Sequence, residues 1–241
     1  MTTDNKIAST DSAYEKRGLF SVRQGRALRG ERAEAMDTIL PQISIPKDAL
    51  TQDHKTPPTQ LFDKKFKSHW LEIGFGHGEH VAGLMRRESQ TGFLGAEPFI
   101  NGMGSFTQNI KDDPLDNIRV IMDDGMIIAR SLTPASLDGI YILNPDPWHK
   151  KRHHKRRLIN HTTLDVLATI LKPNADLVLT TDVTDLANWM CTHTVNHPAF
   201  TWTAKSKDDW QVPPQDWITT KYELKGAKGA KRMSYLFFKR K

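Results

Sequence analysis

The sequence predicts an α/β domain built on a mostly parallel sheet, with helices on both faces. Three observations predict it. From His69 onward, strand-like apolar runs alternate with amphipathic helical ones, the pattern of repeated βα units. A glycine-rich turn, Gly74-Phe75-Gly76-His77-Gly78, joins the first strand to the first helix. Acidic residues stand at the ends of successive strands, where open α/β sheets bind ligands.

Strand patterns fall at residues 70–73, 92–96, 118–122, 139–143 and 176–180. Helical patterns fall at 79–87, 101–110, 125–131, 155–171 and 185–193. In the fourth helix Leu158, Ile159, Thr162, Val166, Leu167, Ile170 and Leu171 share one face at helical spacing. Lys172-Pro173-Asn174 stops it. Two later runs, 200–205 and 234–239, are expected to close the sheet as an antiparallel pair. Residues 1–60 read as a basic extension to a main domain at 61–241. In the extension Arg17, Arg23, Arg26, Arg29 and Arg32 are spaced among polar residues, and a polar, proline-containing linker covers 52–60. Its first dozen residues are expected to be disordered, with a short helix near 32–40.

The 241 residues suffice for one core of ordinary size. No apolar run approaches the roughly 20 residues of a membrane span. The N-terminus has no apolar signal region. The single cysteine, Cys191, cannot pair within the chain and suits a reducing compartment. A cytoplasmic protein is therefore expected.

The net charge of +6 comes from 34 basic and 28 acidic residues. Six of the basic residues lie at 150–157, with no acid among them, so the rest of the chain balances at 28 against 28. Such a block can be a solvated face. Here it directly follows Pro145-Asp146-Pro147-Trp148, which suits the gripping of a polyanion beside a chemical site. A metal site at His149, His153 and His154 is disfavoured by the neighbouring cations.

Each motif has a chemical and a plainer reading. The glycines of the turn let backbone approach a ligand, or serve a tight turn. A dinucleotide fingerprint would need glycine at Glu79, and the chain has it one position earlier, at Gly78. Glu97, after the second strand, can accept from both hydroxyls of a ribose diol, or be merely solvated. Asp124 can reach an adenine amino group, or cap the next helix. Two prolines hold Asp146 in a defined place. Trp148 offers a face for a purine, or fills a proline turn. Thr219-Thr220-Lys221-Tyr222-Glu223 reads only as a polar loop, and Asp182 is ambiguous by itself.

Together these residues resemble the bacterial TrmB family of tRNA (guanine-N7)-methyltransferases over about residues 65–240. The carrying motifs are Glu72-Ile73-Gly74-Phe75-Gly76-His77-Gly78, Gly95-Ala96-Glu97-Pro98-Phe99, the run from Pro145 to Arg157, and Thr220-Lys221-Tyr222-Glu223. The resemblance implies a Rossmann-like class I methyltransferase fold with a seven-stranded sheet. It implies S-adenosylmethionine as donor, S-adenosylhomocysteine as product and no metal. The implied partner is tRNA, methylated at N7 of a variable-loop guanine, with no membrane and no obligate protein partner. By matching motifs, Glu72, Gly74, Gly76, Gly78, Glu97, Asp124 and Asp146 would contact the cofactor, with Asp146 also the catalytic candidate. Lys150, Arg152, His153, His154, Lys155, Arg156, Arg157, Asp182, Thr220, Lys221, Tyr222 and Glu223 would contact tRNA.

The chain departs from the family pattern at Asn144, Pro98 and Tyr222, none of which removes a functional group. Asn144 keeps an exocyclic amine open as the target atom, because amino methyltransferases use a related Asn-Pro-Pro-aromatic tip. Two rivals differ in class. A nicotinamide oxidoreductase has no use for the basic block, and a non-catalytic RNA-binding protein leaves Glu97, Asp124 and Asp146 unexplained.

Overall fold

The computed structural model describes residues 25–51, 53–226 and 232–241. Arg17, Arg23 and the expected disorder of the first dozen residues lie outside them. Among the described residues seven strands form one sheet, ordered β3-β2-β1-β4-β5-β7-β6. These are β1 (Ser68–Ile73), β2 (Thr91–Ala96), β3 (Ile118–Ile121), β4 (Leu137–Leu143), β5 (Leu171–Thr181), β6 (Phe200–Trp202) and β7 (Ser234–Arg240). The helices are α1 (Glu31–Thr38), α2 (Leu40–Ile43), α3 (Glu79–Arg87), α4 (Ile100–Asn109), α5 (Gly125–Ser131), α6 (His161–Ile170), α7 (Thr184–Val195), α8 (Asp208–Gln211) and α9 (Lys221–Lys225).

Strands β1 to β5 are parallel, and β7 inserts antiparallel between β5 and β6. All six residues of β2 are buried, as expected where helices cover both faces. On one face Phe93 and Val120 pack with Val81 and Leu84 of α3, Phe106 of α4, and Ala35 of α1. On the other, Leu94, Ile140 and Leu177 pack with Ile128 of α5, Leu167 of α6 and Met190 of α7. The chain runs outward from β1 through β2 to β3, then returns to β4 on the other side of β1. This reversal makes β1 and β4 the switch point, where a crevice opens beyond the carboxyl ends of the strands.

One expectation needs correction. The helix expected at 155–171 begins only at His161, after a 3-10 turn at Lys151–Arg156. Asn160 stops it from starting earlier: its side chain accepts from Thr163 N while its own N–H donates to Thr163 Oγ1, a closed capping box. The buried face is therefore carried by Leu164, Leu167 and Ala168, with Thr162 and Val166 at its margin. Part of the segment before residue 60 packs on the sheet and on α4. Ile43 and Ile45 are buried, Ile45 N donates to Val120 O at 2.9 Å, and Leu28 and Met36 pack near Gly104 of α4.

Candidate active site

Five acids lie in or just beyond the five parallel strands: Glu72 in β1, Glu97 after β2, Asp124 after β3, Asp146 after β4 and Asp182 after β5. Parallel pairing puts all five strand ends on one edge. Glu97, Glu72 and Asp146 come close enough to repel. Burial pushes the Glu97 carboxyl above its ordinary range, hydrogen bonds from Phe99 and Gly76 oppose the shift, and the charges of Asp146 and Glu72 add to it.

The glycine turn folds around Glu97. Its Oε2 accepts from Gly76 N at 2.7 Å and its Oε1 from Phe99 N at 2.8 Å. Each oxygen keeps a further lone pair, enough for two vicinal hydroxyls. Gly74 and Gly76 adopt φ of +73° and +59°, and nothing lies within 4 Å of a Cβ built on either. The turn thus presents open backbone, the cradle a nucleoside-bearing ligand needs. Gly78 is different: at φ +75° it precedes α3, and a Cβ there would sit 2.2 Å from the Phe106 ring. It is required by packing. Asp124 caps α5 by accepting from Met126 N through Oδ1 at 2.9 Å. The plainer reading of that residue is therefore part of the structure.

Asp146 sits exposed on a bent tip. Asn144 and Trp148, on either side of Pro145-Asp146-Pro147, both have positive φ, +48° and +47°. Asparagine tolerates this region, whereas tryptophan there costs on the order of 1–3 kcal/mol and must be held by its surroundings. Asn144 N donates to Thr180 O at 3.0 Å. Arg157 Nε donates to Pro147 O at 2.9 Å. The Arg156 guanidinium lies 5.0 Å from the centre of the Trp148 ring, and His153 meets that ring edge-on at 5.9 Å. One indole face is therefore taken by Arg156, which leaves at most the other for a purine.

The basic block divides into two sets. Lys150, Lys151, Arg152 and Lys155 are exposed, and His153, His154 and Arg156 are half-buried. Arg157 is 1% exposed. It pairs with Asp185 at the start of α7, lies near His154 Nε2 at 3.2 Å, and covers the Trp189 ring at 5.0 Å. The Arg157 guanidinium holds the Asp185 carboxyl below the usual range. Arg157 is thus a strut beneath the tip, and the expectation that it touches tRNA is corrected. The sequence gives no hint of this, because the residues that bury it, Asp185 and Trp189, come from α7.

The late motif also changes. The expected polar loop is the short helix α9, capped by Thr220, whose Oγ1 accepts from Glu223 N at 3.2 Å. Thr220 is buried and Tyr222 is 62% exposed. Lys221 Nζ lies 3.8 Å from Glu79 Oε1. Trp217 Nε1 donates to Glu223 at 3.1 and 3.3 Å. Burial raises the Glu223 carboxyl above its ordinary range, against the hydrogen bond from Trp217 and the charge of His80. Asp182 is buried at the end of β5. Sequence reasoning missed His80, the buried partner of Glu72 (Nδ1 to Oε2, 2.8 Å). Its position at the start of α3, just after the glycine turn, was the only available signal.

Among the described residues one cluster has metal-like donors: His161, Asp165 and His197. Ala199 N donates to His197 Nδ1 at 3.3 Å, which puts the ring proton on Nε2, facing Asp165 at 3.1 Å. The cluster is a hydrogen-bonded staple between α6 and the end of α7. Among the described residues no helix is long and apolar enough to cross a membrane.

Comparison with known proteins agrees with this architecture. A family model described as "Putative methyltransferase" matches residues 67–235. A tRNA (guanine-N(7)-)-methyltransferase of Brucella anthropi is 38% identical over 236 residues, 96% of this chain and all of that one. The protein of the same description from Mesorhizobium japonicum is 38% identical over the whole of both chains, and that from Rhodospirillum rubrum 35% over 92% of this chain and 87% of its own. Among solved structures, the 16S rRNA methyltransferase KamB shares the fold, with a TM-score of 0.53 at 13% identity, over 73% of this chain and 89% of that one.

Proposed function

The chain belongs to the TrmB family of tRNA (guanine-N7)-methyltransferases, and from that membership we propose that it methylates N7 of a guanine in the tRNA variable loop, at position 46. The observation that carries the reading is the meeting, at one sheet edge, of a carboxylate-lined crevice and an exposed row of cations. Glu72, Glu97 and Asp146 share the crevice, and Lys150, Arg152 and Lys155 follow directly on the same loop. A tRNA substrate goes with a cytoplasmic location.

S-adenosylmethionine, when bound, supplies a sulfonium methyl as electrophile. The residues at the crevice fit such a cation: open glycine backbone at Gly74 and Gly76, a diol acceptor at Glu97, and acids at Glu72, Asp124 and Asp146. N7 of neutral guanine carries a lone pair and no proton, so no base is needed to create the nucleophile. The chain must therefore align N7 with the methyl group and keep water out, where orientation can contribute up to about 7–11 kcal/mol. The purine gains positive charge as its N7–carbon bond forms. Asp146 stands on a braced tip to stabilise that charge, or to accept from N1–H or the amino group. The description shared by the relatives supports N7 over an exocyclic amine.

Purified protein incubated with labelled S-adenosylmethionine and bulk tRNA is expected to yield 7-methylguanosine on nucleoside analysis. Label in another nucleoside, or none, overturns the reading. Two variants test its parts. Glu97→Ala should weaken S-adenosylhomocysteine binding by about 1–3 kcal/mol, measured by calorimetry, through loss of the diol acceptor. Unchanged affinity in a folded variant removes the ribose assignment. Replacing Lys150, Arg152 and Lys155 by Gln should weaken tRNA binding most at low salt. It should also flatten the log–log salt plot by roughly 0.7–0.9 per lost phosphate contact. All three side chains are exposed, so the melting curve should stay native. Parallel plots would return these residues to a solvated face.

A further inference from the structure

Helix α3 carries the far end of the chain along one face. Its residues Glu79, His80, Gly83 and Arg87 lie within about 100° of one another around the axis. Residues 216–221 run along that face in the opposite direction. Arg87 Nη1 donates to Asp216 O at 2.7 Å. A Cβ on Gly83 would stand 2.8 Å from Ile218 Cδ1, so the close approach depends on glycine. The Trp217 ring lies 5.1 Å from that of His80, and Lys221 Nζ lies 3.8 Å from Glu79 Oε1. The track delivers α9 to the end of α3 that opens from the glycine turn.

His80 also reaches back into the sheet. Its Nδ1 pairs with Glu72 Oε2 at 2.8 Å, the two side chains being 2% and 3% exposed. Tyr141 closes over the ring edge-on at 4.6 Å. On the opposite side Trp217 carries the contact on to Glu223 through its Nε1. Glu72, His80, Trp217 and Glu223 therefore form one line of contacts from β1 to α9. Glu72 and His80 are buried and Trp217 and Glu223 half-buried, so loss of the His80 ring would leave the Glu72 carboxylate without its buried partner and open a void beside Trp217.

We propose that His80 is a positioning residue that couples occupation of the cofactor crevice at Glu72 to the placement of α9 and its tRNA-facing side chains. The inference rests on the functional reading above, and it adds a thermodynamic statement: cofactor and tRNA tighten each other's binding through this side chain. A ligand that re-aims the Glu72 carboxylate must move the one ring bonded to it. That ring is the surface against which Trp217, and with it α9, is seated. By linkage the effect is reciprocal.

The test is the ratio of S-adenosylhomocysteine dissociation constants measured by calorimetry without and with saturating bulk tRNA. The native protein is expected to bind at least about fivefold more tightly with tRNA present. His80→Asn keeps a donor near the position of Nδ1 and loses the ring against Trp217. His80→Phe keeps the ring and loses the bond to Glu72. Trp217→Phe keeps a ring on His80 and loses the donor to Glu223, and it interrupts the line at an independent point. Each is expected to bring the ratio close to one in a protein that still melts cooperatively. A residue with only a structural role would lower the melting temperature and leave the ratio native, and that result overturns the proposal. So does a native ratio of one in a protein that makes 7-methylguanosine. A native protein that makes none fails the functional reading itself, and the nucleoside analysis tells the two failures apart.

Discussion

Replacing Asp146 by alanine is expected to lower tRNA methylation by a factor of about 10²–10³, the usual loss when a preorganised electrostatic group is removed. The fold should be unaffected. Asp146 is exposed, and the tip around it is held by bonds from Arg157 to Pro147 and from Asn144 to Thr180. Asp146→Asn keeps an oxygen acceptor and loses the charge, so it should fall between alanine and native. Single-turnover methylation with saturating tRNA measures both. The native pH–rate profile should be shallow across neutral pH, because the nucleophile needs no deprotonation. A steep rise that disappears in Asp146→Asn would make Asp146 a general base and overturn the positioning role.

Replacing Arg157 by methionine should produce the second large effect, of a different kind. The change removes the donor to Pro147 O, the pairing with Asp185 and the cover on Trp189. Asp185 remains 66% exposed and is rehydrated, so the cost lies in the orphaned carbonyl and the lost packing, on the order of 2–3 kcal/mol. A melting temperature lower by roughly 5–10 °C is expected. Methylation should also fall, because the backbone at Pro147 and the positive φ of Trp148 lose their brace. The salt slope of tRNA binding should match the native one. Arg157→Lys restores the charge without the paired donors and should rescue little. A flattened salt slope with native melting would show that Arg157 grips phosphate after all.

The contrast between Arg157 and its neighbours shows how far the sequence could be read. The strands, most of the helices and the closing antiparallel pair follow from local periodicity and were legible. So were the strand-end acids, because parallel strands necessarily put their carboxyl ends on one edge. The start of α6 was missed because a basic, helix-compatible run preceded it, and the capping box at Asn160 outweighed that propensity. The late motif read as a loop because α9 is too short for periodicity to show. The positive φ at Trp148 was illegible, since no residue preference announces it.

By itself the sequence determined the layering of the domain, the glycine turn, the acids at the crevice and the concentration of positive charge beside them. Each follows from a local pattern, and for the acids parallel pairing brings the separate strand ends to one edge. Only the tertiary structure decided which cations face solvent, that Arg156 covers Trp148, and that His80 joins Glu72 to Trp217. A side chain's direction is set by the partner that repays its burial. For Arg157 that partner is on α7, and for His80 one lies in β1 and the other far down the chain. Spacing along the sequence carries no information about such contacts, because they come into being only when the helices dock on the sheet.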